Sequence, residues 1–367
     1  MDYYLMNKDN IIFRFNISRD ALGVRYSLIG NIQGVMPRDL KDLGKWIEKR
    51  HILSHRNDIE ILFRSIGIND IESIIDITHC VAITDTFWIK RVNSSKKWEN
   101  VSPYRNSLNK VISDFSFNGE VNGKNITSSP DFSTGGNFPK CWKKNNGSLY
   151  LYKAGSDGAI NAGNEPYSEI FAYQLAKYLD IDCIEYKYGH YKEKDVSICK
   201  NMCSEEIGLI ALSDVVETSA IDFKKILDMY KSRGIEQDVK RCVDMLLLDA
   251  LTCNIDRHLG NISHYINNDT QEILGMSKIY DNNLALIPYY YSYESGCKPL
   301  EYVDSLRAKD GRTFNELYAL IKSNYTRKKL IKAQDFKFKS IGVKSADERL
   351  TLLNIIVKYR VKECLKV

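Results

Sequence analysis

Long apolar runs are missing from this chain. No stretch approaches the ~20 consecutive apolar residues that a membrane-spanning helix needs, so a helical membrane protein is not expected. The segment Met1-Asp2-Tyr3-Tyr4-Leu5-Met6-Asn7-Lys8 has neither the basic nor the apolar stretch of a secretory signal. A cytoplasmic location without a membrane partner is the expectation, with secretion as an effector left open. The nine cysteines are odd in number and scattered, and none forms a C-x-x-C pair. A disulfide framework or zinc cluster is therefore not expected, and most of them, Cys253 included, read as small buried hydrophobes. Charge is only mildly one-sided, at +5 over 367 residues. The local excess of Arg327, Lys328, Lys329, Lys332, Lys337, Lys339 and Lys344 reads as a solvated face, and no direct nucleic-acid binding is expected. His51 and His55 have the i, i+4 spacing of a metal pair but no third ligand, so they read as helix-surface residues. Internal repeats are also missing.

What is present is concentrated in Asn254–Asn261, N-I-D-R-H-L-G-N, followed by Ile279-Tyr280-Asp281-Asn282-Asn283. A D-x-x-x-x-N segment with a later aspartate is how kinase-fold enzymes hold metal-bound ATP beside a hydroxyl nucleophile. Asp256 takes the place of the residue that accepts the hydroxyl proton. Asn261 and Asp281 offer the oxygen ligands that Mg²⁺, a hard cation, requires. Histidine is a common general base, yet in such a loop His258 reads as a turn-shaping residue beside the nucleotide rather than as the base. Arg257 fits either a phosphate contact or a structural acid, and the sequence does not choose.

Upstream, Ser148-Leu149-Tyr150-Leu151-Tyr152-Lys153 alternates like a strand and ends in a lysine. Asn164-Glu165-Pro166 then opens a helix, with Asn as N-cap and Pro near its first position, and Ile170, Phe171, Leu175 and Leu179 give it an apolar stripe. A strand lysine paired with a helix glutamate positions ATP phosphates in kinases. Lys153 is the expected cation, Glu169 its partner, and Glu165 the fallback. Earlier still, Ser133-Thr134-Gly135-Gly136-Asn137-Phe138-Pro139-Lys140 is a small, polar, glycine-bearing loop. Gly135, Gly136 and Asn137 would let backbone N–H groups approach phosphate oxygens, with Lys140 adding charge. The loop matches neither G-x-G-x-x-G nor a Walker sequence. Its weight comes from its place just before the lysine strand.

These residues together resemble a known family. The runs T-G-G-N-F-P-K-C-W, L-Y-L-Y-K, N-I-D-R-H-L-G-N and I-Y-D-N-N-L-A-L, with Ile83–Lys90 ahead of them, are similar to the HipA-like serine/threonine kinases, in the single-chain form. The resemblance runs from about Ser129 to Pro288 and is strongest over Leu247–Leu286. It implies an α+β, bilobal protein-kinase-like fold that binds ATP and Mg²⁺ and phosphorylates a Ser or Thr of a protein substrate. Many members of the family are toxins held in check by a small DNA-binding antitoxin, so a toxin or related effector, with a small helix-turn-helix antitoxin as a candidate partner, is the expectation. Asn282-Asn283 departs from the family, in which a glycine more often follows the metal aspartate, and this puts the flexibility of that turn in question. Three rivals stand beside this reading: a phosphoinositide or small-molecule kinase, a pseudokinase binding module, and a DNA-associated repressor acting through its antitoxin. Autophosphorylation at Ser128, Ser129, Ser133 or Thr134 would place a dianion in the phosphate loop and repel ATP.

Three parts are expected: an N-terminal accessory region over 1–115, a kinase N-lobe with the glycine-rich loop and ATP lysine over 116–203, and a mainly helical C-lobe over 204–367. The pattern predicts strands at Ile11–Phe15, Val24–Ile29, Ile184–Tyr191 and Val196–Cys199. It predicts helices at Leu40–Leu53, Asp58–Ile66, Asp70–Ile77, Asp222–Arg233, Gln237–Asn254, Thr313–Ser323 and Asp347–Leu365. Asn267-Asn268-Asp269 reads as a hairpin turn, and Tyr289-Tyr290-Tyr291 as a packing segment.

Overall fold

The computed structural model describes residues 1–21, 23–51, 70–118, 129–134, 138–217, 220–291 and 298–367, with residues 51 and 132 described for their backbone alone. The helix predicted over Asp58–Ile66, His55, Ser128 and the Gly135-Gly136-Asn137 run lie outside these residues. Among them are strands β1 (Asp2–Asn7), β2 (Asn10–Asp20), β3 (Gly23–Ile29), β4 (Phe87–Arg91), β5 (Lys140–Asn145), β6 (Ser148–Ala154), β7 (Tyr186–Tyr191), β8 (Lys194–Lys200), β9 (Ile207–Ala211), β10 (Ser263–Asn267) and β11 (Ile273–Met276). Helix and sheet are mixed throughout, and no described helix is long and apolar enough to cross a membrane. By compactness the chain divides into two units. One comprises Met1–Tyr152, Lys200–Ile210 and Tyr265–Leu274; the other comprises Lys153–Cys199, Ala211–His264 and Gly275–Val367.

The first unit is built on an antiparallel sheet of order β3-β2-β1-β4. Alternation makes it: Phe13, Phe15 and Ile17 of β2 point inward while Arg14, Asn16 and Ser18 do not. Leu5 pairs with Phe13 and Tyr3 with Phe15, whose rings stack at 5.7 Å. Trp46 and Ile47 of helix Leu43–His51 and Ile75 of helix Ile71–Thr78 complete that core. Burying each such aromatic or branched side chain stabilises by roughly 1.5–3 kcal/mol. Asp70 caps the second helix by accepting the Ser73 N–H. Below β10, the side chain of Asn267 accepts the N–H groups of Asp269 and Thr270, which makes the turn leading toward β11.

The second unit is mainly helical and carries the larger core. Its centre is the helix Glu236–Thr252, buried on nearly every side from Cys242 onward, with the acids Asp244 and Asp249 among its apolar residues. Helix Phe223–Arg233 is capped by Asp222, helix Phe314–Ala319 by a Thr313–Glu316 capping box, and Leu350–Lys366 packs as the last long helix. These begin close to the expected positions, although the predicted Thr313–Ser323 helix stops at Ala319 and Asp347–Leu365 begins only at Leu350. The β7–β8 hairpin pairs Tyr186 with Cys199 through Tyr191 with Lys194. Of the basic stretch read as solvated, Lys329 is a correction. Its ammonium donates to the Leu179 carbonyl at 2.5 Å and lies 3.5 Å from Asp244, in a largely buried setting. Its sequence position three residues before exposed Lys332 gives no hint of this, because the partners come from another helix end.

Candidate active site

Helix Glu236–Thr252 ends in Cys253, whose left-handed backbone (φ +54°) turns the chain and returns its N–H to the Asp249 carbonyl. Cys253 itself is a core residue, and burial pushes its thiol up to about 12. The loop that follows is organised around Arg257, which is fully buried. Its Nε and Nη2 donate to both oxygens of Asp249, at 2.9 and 3.0 Å, a bidentate pair that only a guanidinium makes. Nη2 also reaches Oδ1 of Asn282 at 2.6 Å. Nη1 donates to the Tyr280 carbonyl at 2.6 Å and the Asn261 carbonyl at 3.3 Å. Burial alone would depress the guanidinium, but Asp249 outweighs it and holds its pKa above the ordinary value. Arg257 is thus a structural cation, which settles the choice the sequence left open.

Two of those bonds bracket the candidate site. By holding both the Asn261 and Tyr280 carbonyls, Nη1 keeps them within about 6 Å of each other. The Tyr280 hydroxyl adds a second tie, donating to the Gly260 carbonyl at 2.9 Å. Asp281 follows directly, with left-handed backbone (φ +55°) and its N–H on the Tyr186 hydroxyl at 3.1 Å. Asn282 is buried and held at both ends, by Arg257 and, through its amide, by the Cys183 sulfur at 3.7 Å. The turn that lacks the usual glycine is therefore pinned. Beyond it, Leu286 and Ile287 also have positive φ, at +58° and +47°. A β-branched residue rarely adopts this, and Arg349 holds the pair by donating to the Ile287 carbonyl at 2.7 Å.

Lys153 closes the cluster. Its ammonium is buried, 3.0 Å from Oε1 of Glu169 and 2.5 Å from Oδ1 of Asp281. Burial would lower its pKa, yet the Asp281 and Glu169 carboxylates outweigh burial and raise it, so the lysine stays charged. Glu169 is steadied from its other side by the Ser197 hydroxyl. Glu165 is engaged elsewhere, accepting the N–H and hydroxyl of Ser156. The predicted N-cap Asn164 makes no side-chain cap bond, because its amide donates to the Pro288 carbonyl at 3.0 Å. Asn161 does the same to Tyr289 at 2.9 Å.

Asp256 is oriented locally, its N–H held by Oδ1 of Asn254 at 3.1 Å, while Asn254 leans on Asp249 at 3.0 Å. Asn261 donates its amide to the Asp256 carbonyl at 3.1 Å, which leaves its side-chain oxygen as an acceptor. His258 caps the short helical turn Leu259–Asn261, its Nδ1 accepting the Gly260 N–H at 3.1 Å. Its Nε2 stays 4.0 Å from Asp256. One group went unforeseen: Lys309 donates to Oδ1 of Asp256 at 2.7 Å. Nothing near Lys309 in the sequence marks it. Asp249 did carry a signal, being an acid amid the apolar residues of a buried helix, where an acid requires a partner.

Lys140 begins β5 and is buried there. Among the possible phosphate-loop acceptors, the buried Ser129 hydroxyl donates to Asp131 at 2.8 Å, and those of Ser133 and Thr134 donate to the Pro130 carbonyl. No cluster of three or more His, Cys, Asp or Glu suited to a metal occurs among the described residues. Mg²⁺ is commonly held by one or two protein carboxylates together with substrate phosphates. Asn261 and Asp281 are a chemically suitable pair for it, and Lys153 a suitable phosphate cation.

Among solved structures, the chain is similar to HipA of Shewanella oneidensis MR-1, determined as the toxin–antitoxin system HipA, HipB and its operator DNA complex. The TM-score is 0.56 at 12% identity, over 99% of this chain and 97% of that one. The chain has the fold of HipA. The proinflammatory kinase CtkA of Helicobacter pylori matches with a TM-score of 0.44 at 19% identity, over 62% of this chain and 92% of that one. No family model matches the sequence, and no curated protein matches it. At such identities the HipA likeness speaks for the fold, and the chemistry rests on this chain's own residues.

Proposed function

We propose that this chain is an ATP- and Mg²⁺-dependent serine/threonine protein kinase of the HipA type, with N-lobe 116–203 and C-lobe 204–367. The observation that carries it is the contact of Lys153 with both Glu169 and Asp281, residues 16 and 128 positions away along the chain. That trio joins the phosphate cation, its helix partner and the metal aspartate of a kinase site. The HipA fold supports the same reading.

In this mechanism Asp256 orients the acceptor hydroxyl and takes its proton. Lys153 exchanges its bond to Asp281 for one to the ATP phosphates and stays charged through Glu169. Asn261 and Asp281 would hold Mg²⁺ through their oxygens, and the ion would supply positive charge against the ATP phosphates. Arg257 holds these groups in register, so the rate comes from positioning and electrostatics. Because the HipA structure contains an antitoxin and operator DNA, a small DNA-binding antitoxin is the proposed partner of this chain, and a protein hydroxyl its substrate.

Transfer from labelled ATP with Mg²⁺, compared with Asp256→Asn and Asp281→Asn, tests the reading. Asp256→Asn should keep the melting shift given by Mg-ATP but lose roughly 10²–10⁴-fold in turnover. Asp281→Asn should lose the melting shift itself, worth about 2.7 kcal/mol at 100 times the dissociation constant. Transfer at the wild-type rate in both variants would sink the assignment. Lipid vesicles labelled in preference to protein would make this a phosphoinositide kinase instead.

A further inference from the structure

We infer that Lys309 is a catalytic residue, the cation that bridges Asp256 and the phosphoryl group in transit. The inference rests on the kinase reading above. Its first support is contact: Nζ lies 2.7 Å from Oδ1 of Asp256, leaving Oδ2, which is 4.0 Å from the His258 ring, to face the acceptor hydroxyl.

The second support is construction. Lys309 sits in the turn between helices Pro299–Ser305 and Phe314–Ala319, closed by the Ala308 N–H on the Arg312 carbonyl at 2.8 Å and the Gly311 N–H on the Ala308 carbonyl at 2.9 Å. Gly311 takes φ +86°, where a side chain would be strained. Asp310, next to Lys309, is turned inward, its carboxylate 1% exposed. It accepts the Phe223 N–H at 3.1 Å and pairs with Arg312, which also reaches Asp222 at 3.4 Å. A turn anchored this firmly to a helix start fixes the backbone from which the Lys309 side chain, 44% exposed, reaches Asp256, whereas a lysine on an unanchored loop would be a surface ion pair of little consequence.

The third support is chemical. Lys153 lies on the side of Asp281 and Glu169, and charge also develops where the hydroxyl attacks. During transfer the hydroxyl oxygen forms its bond to the γ-phosphorus and its proton goes to Asp256. The bond from that phosphorus to the β-bridging oxygen breaks, and its electron pair leaves with ADP. Lys309 moves from the carboxylate toward the equatorial phosphoryl oxygens as negative charge collects there. A cation aimed at developing charge typically accounts for 10²–10³-fold in rate.

The experiment compares wild type with Lys309→Met and Lys309→Arg, measuring label on the chain itself and on casein, ADP release, and melting. Methionine keeps the aliphatic bulk and removes the charge; arginine keeps the charge. Expected are unchanged melting midpoints and, for Lys309→Met, a kcat lower by roughly 10²–10³-fold with the KM for ATP within about threefold of wild type. Arginine should recover much of that loss, which a purely structural lysine would not require. An active wild type with Lys309→Met equally fast, or faster, overturns the role of Lys309 and leaves the kinase reading standing. A wild type that labels nothing and releases no ADP overturns the kinase reading and this inference with it.

Discussion

Two buried cations of the second unit solve the same problem in opposite ways. Arg257, in the loop after the central helix, commits its guanidinium to fixed acceptors: Asp249, Asn282 and the Asn261 and Tyr280 carbonyls. Lys153, at the end of β6, is held by two carboxylates, and one of these, Asp281, is 27% exposed. A planar fork with every direction satisfied cannot let go without stranding a buried acid, whereas an ammonium on a flexible stem can trade one oxygen for another. The D-R-H motif and the strand lysine look alike as basic residues in a site, yet one supplies rigidity and the other an exchangeable contact.

The largest effect should come from breaking the rigid member. Arg257→Met leaves Asp249 buried without its cation, at a cost of about 3–5 kcal/mol. Arg257→Lys should recover little, because an ammonium cannot form the bidentate pair. Lys153→Met leaves the buried Glu169 without its cation and should also destabilise, but less. Ser197 still bonds Glu169, and burial, which raises that carboxyl's pKa, lets it take up a proton. The same substitution should abolish the melting shift with Mg-ATP. Denaturant unfolding and nucleotide-dependent melting on the same three variants would measure both. If Lys153→Met were the more destabilising of the two in the absence of nucleotide, the contrast between anchor and exchangeable contact would collapse.

A third buried nitrogen base, in the first unit, shows the remaining solution, which is to give up the charge. His79 is 5% exposed, and burial first, then the Lys96 ammonium, lowers its pKa to about 4. Lys96 donates to Nε2 at 2.7 Å, so Nδ1 carries the ring proton and donates to the Ile89 carbonyl at 2.9 Å. The folded value lies below the unfolded value of about 6.5. His79 therefore contributes stability that is present above pH 6.5 and lost as pH falls toward 4, about 3 kcal/mol over the window. His79→Asn suits the left-handed backbone there (φ +49°) and keeps a donor but cannot titrate. Its stability should fall less steeply than wild type between pH 6.5 and 5 in denaturant unfolding. Parallel curves would show that His79 is not the group responsible.

What was legible in the sequence follows from range. Caps announce themselves within four residues, so Asp70, Asp222 and Thr313 mark helix starts that the structure keeps. Alternation likewise marks β6, and the core stripe marks the helix that carries Glu169. The HipA-type resemblance came from short local runs, and the fold agrees with it at 12% identity. Partners from distant segments were not legible. Asn164 looks like a cap until Pro288 offers its carbonyl. Lys309 lies 53 residues beyond Asp256, on a turn of ordinary composition. Arg257 could be placed only once Asp249 was seen to face it, although an acid inside an apolar helix could have directed attention there.

The basic C-terminal stretch provides the smallest and sharpest contrast. Lys329 and Lys332 lie three apart on helix Asn324–Ala333 and both reach the end of the helix that bears Glu169. Lys329 donates to the Leu179 and Asp180 carbonyls at 2.5 and 3.2 Å, adding positive charge where that helix leaves carbonyls unsatisfied. Lys332 meets the Asp180 carboxylate at 2.6 Å, which is 82% exposed, and lies over the Tyr178 ring at 5.3 Å. A buried cation on helix-end carbonyls contributes about 1 kcal/mol, while an exposed pair typically contributes less than about 0.5. Lys329→Met should therefore lower the unfolding midpoint measurably, and Lys332→Met should leave it nearly unchanged. Equal losses from the two substitutions would mean that Lys329 acts as one more solvated charge, and the reading of the whole stretch as a surface face would be restored.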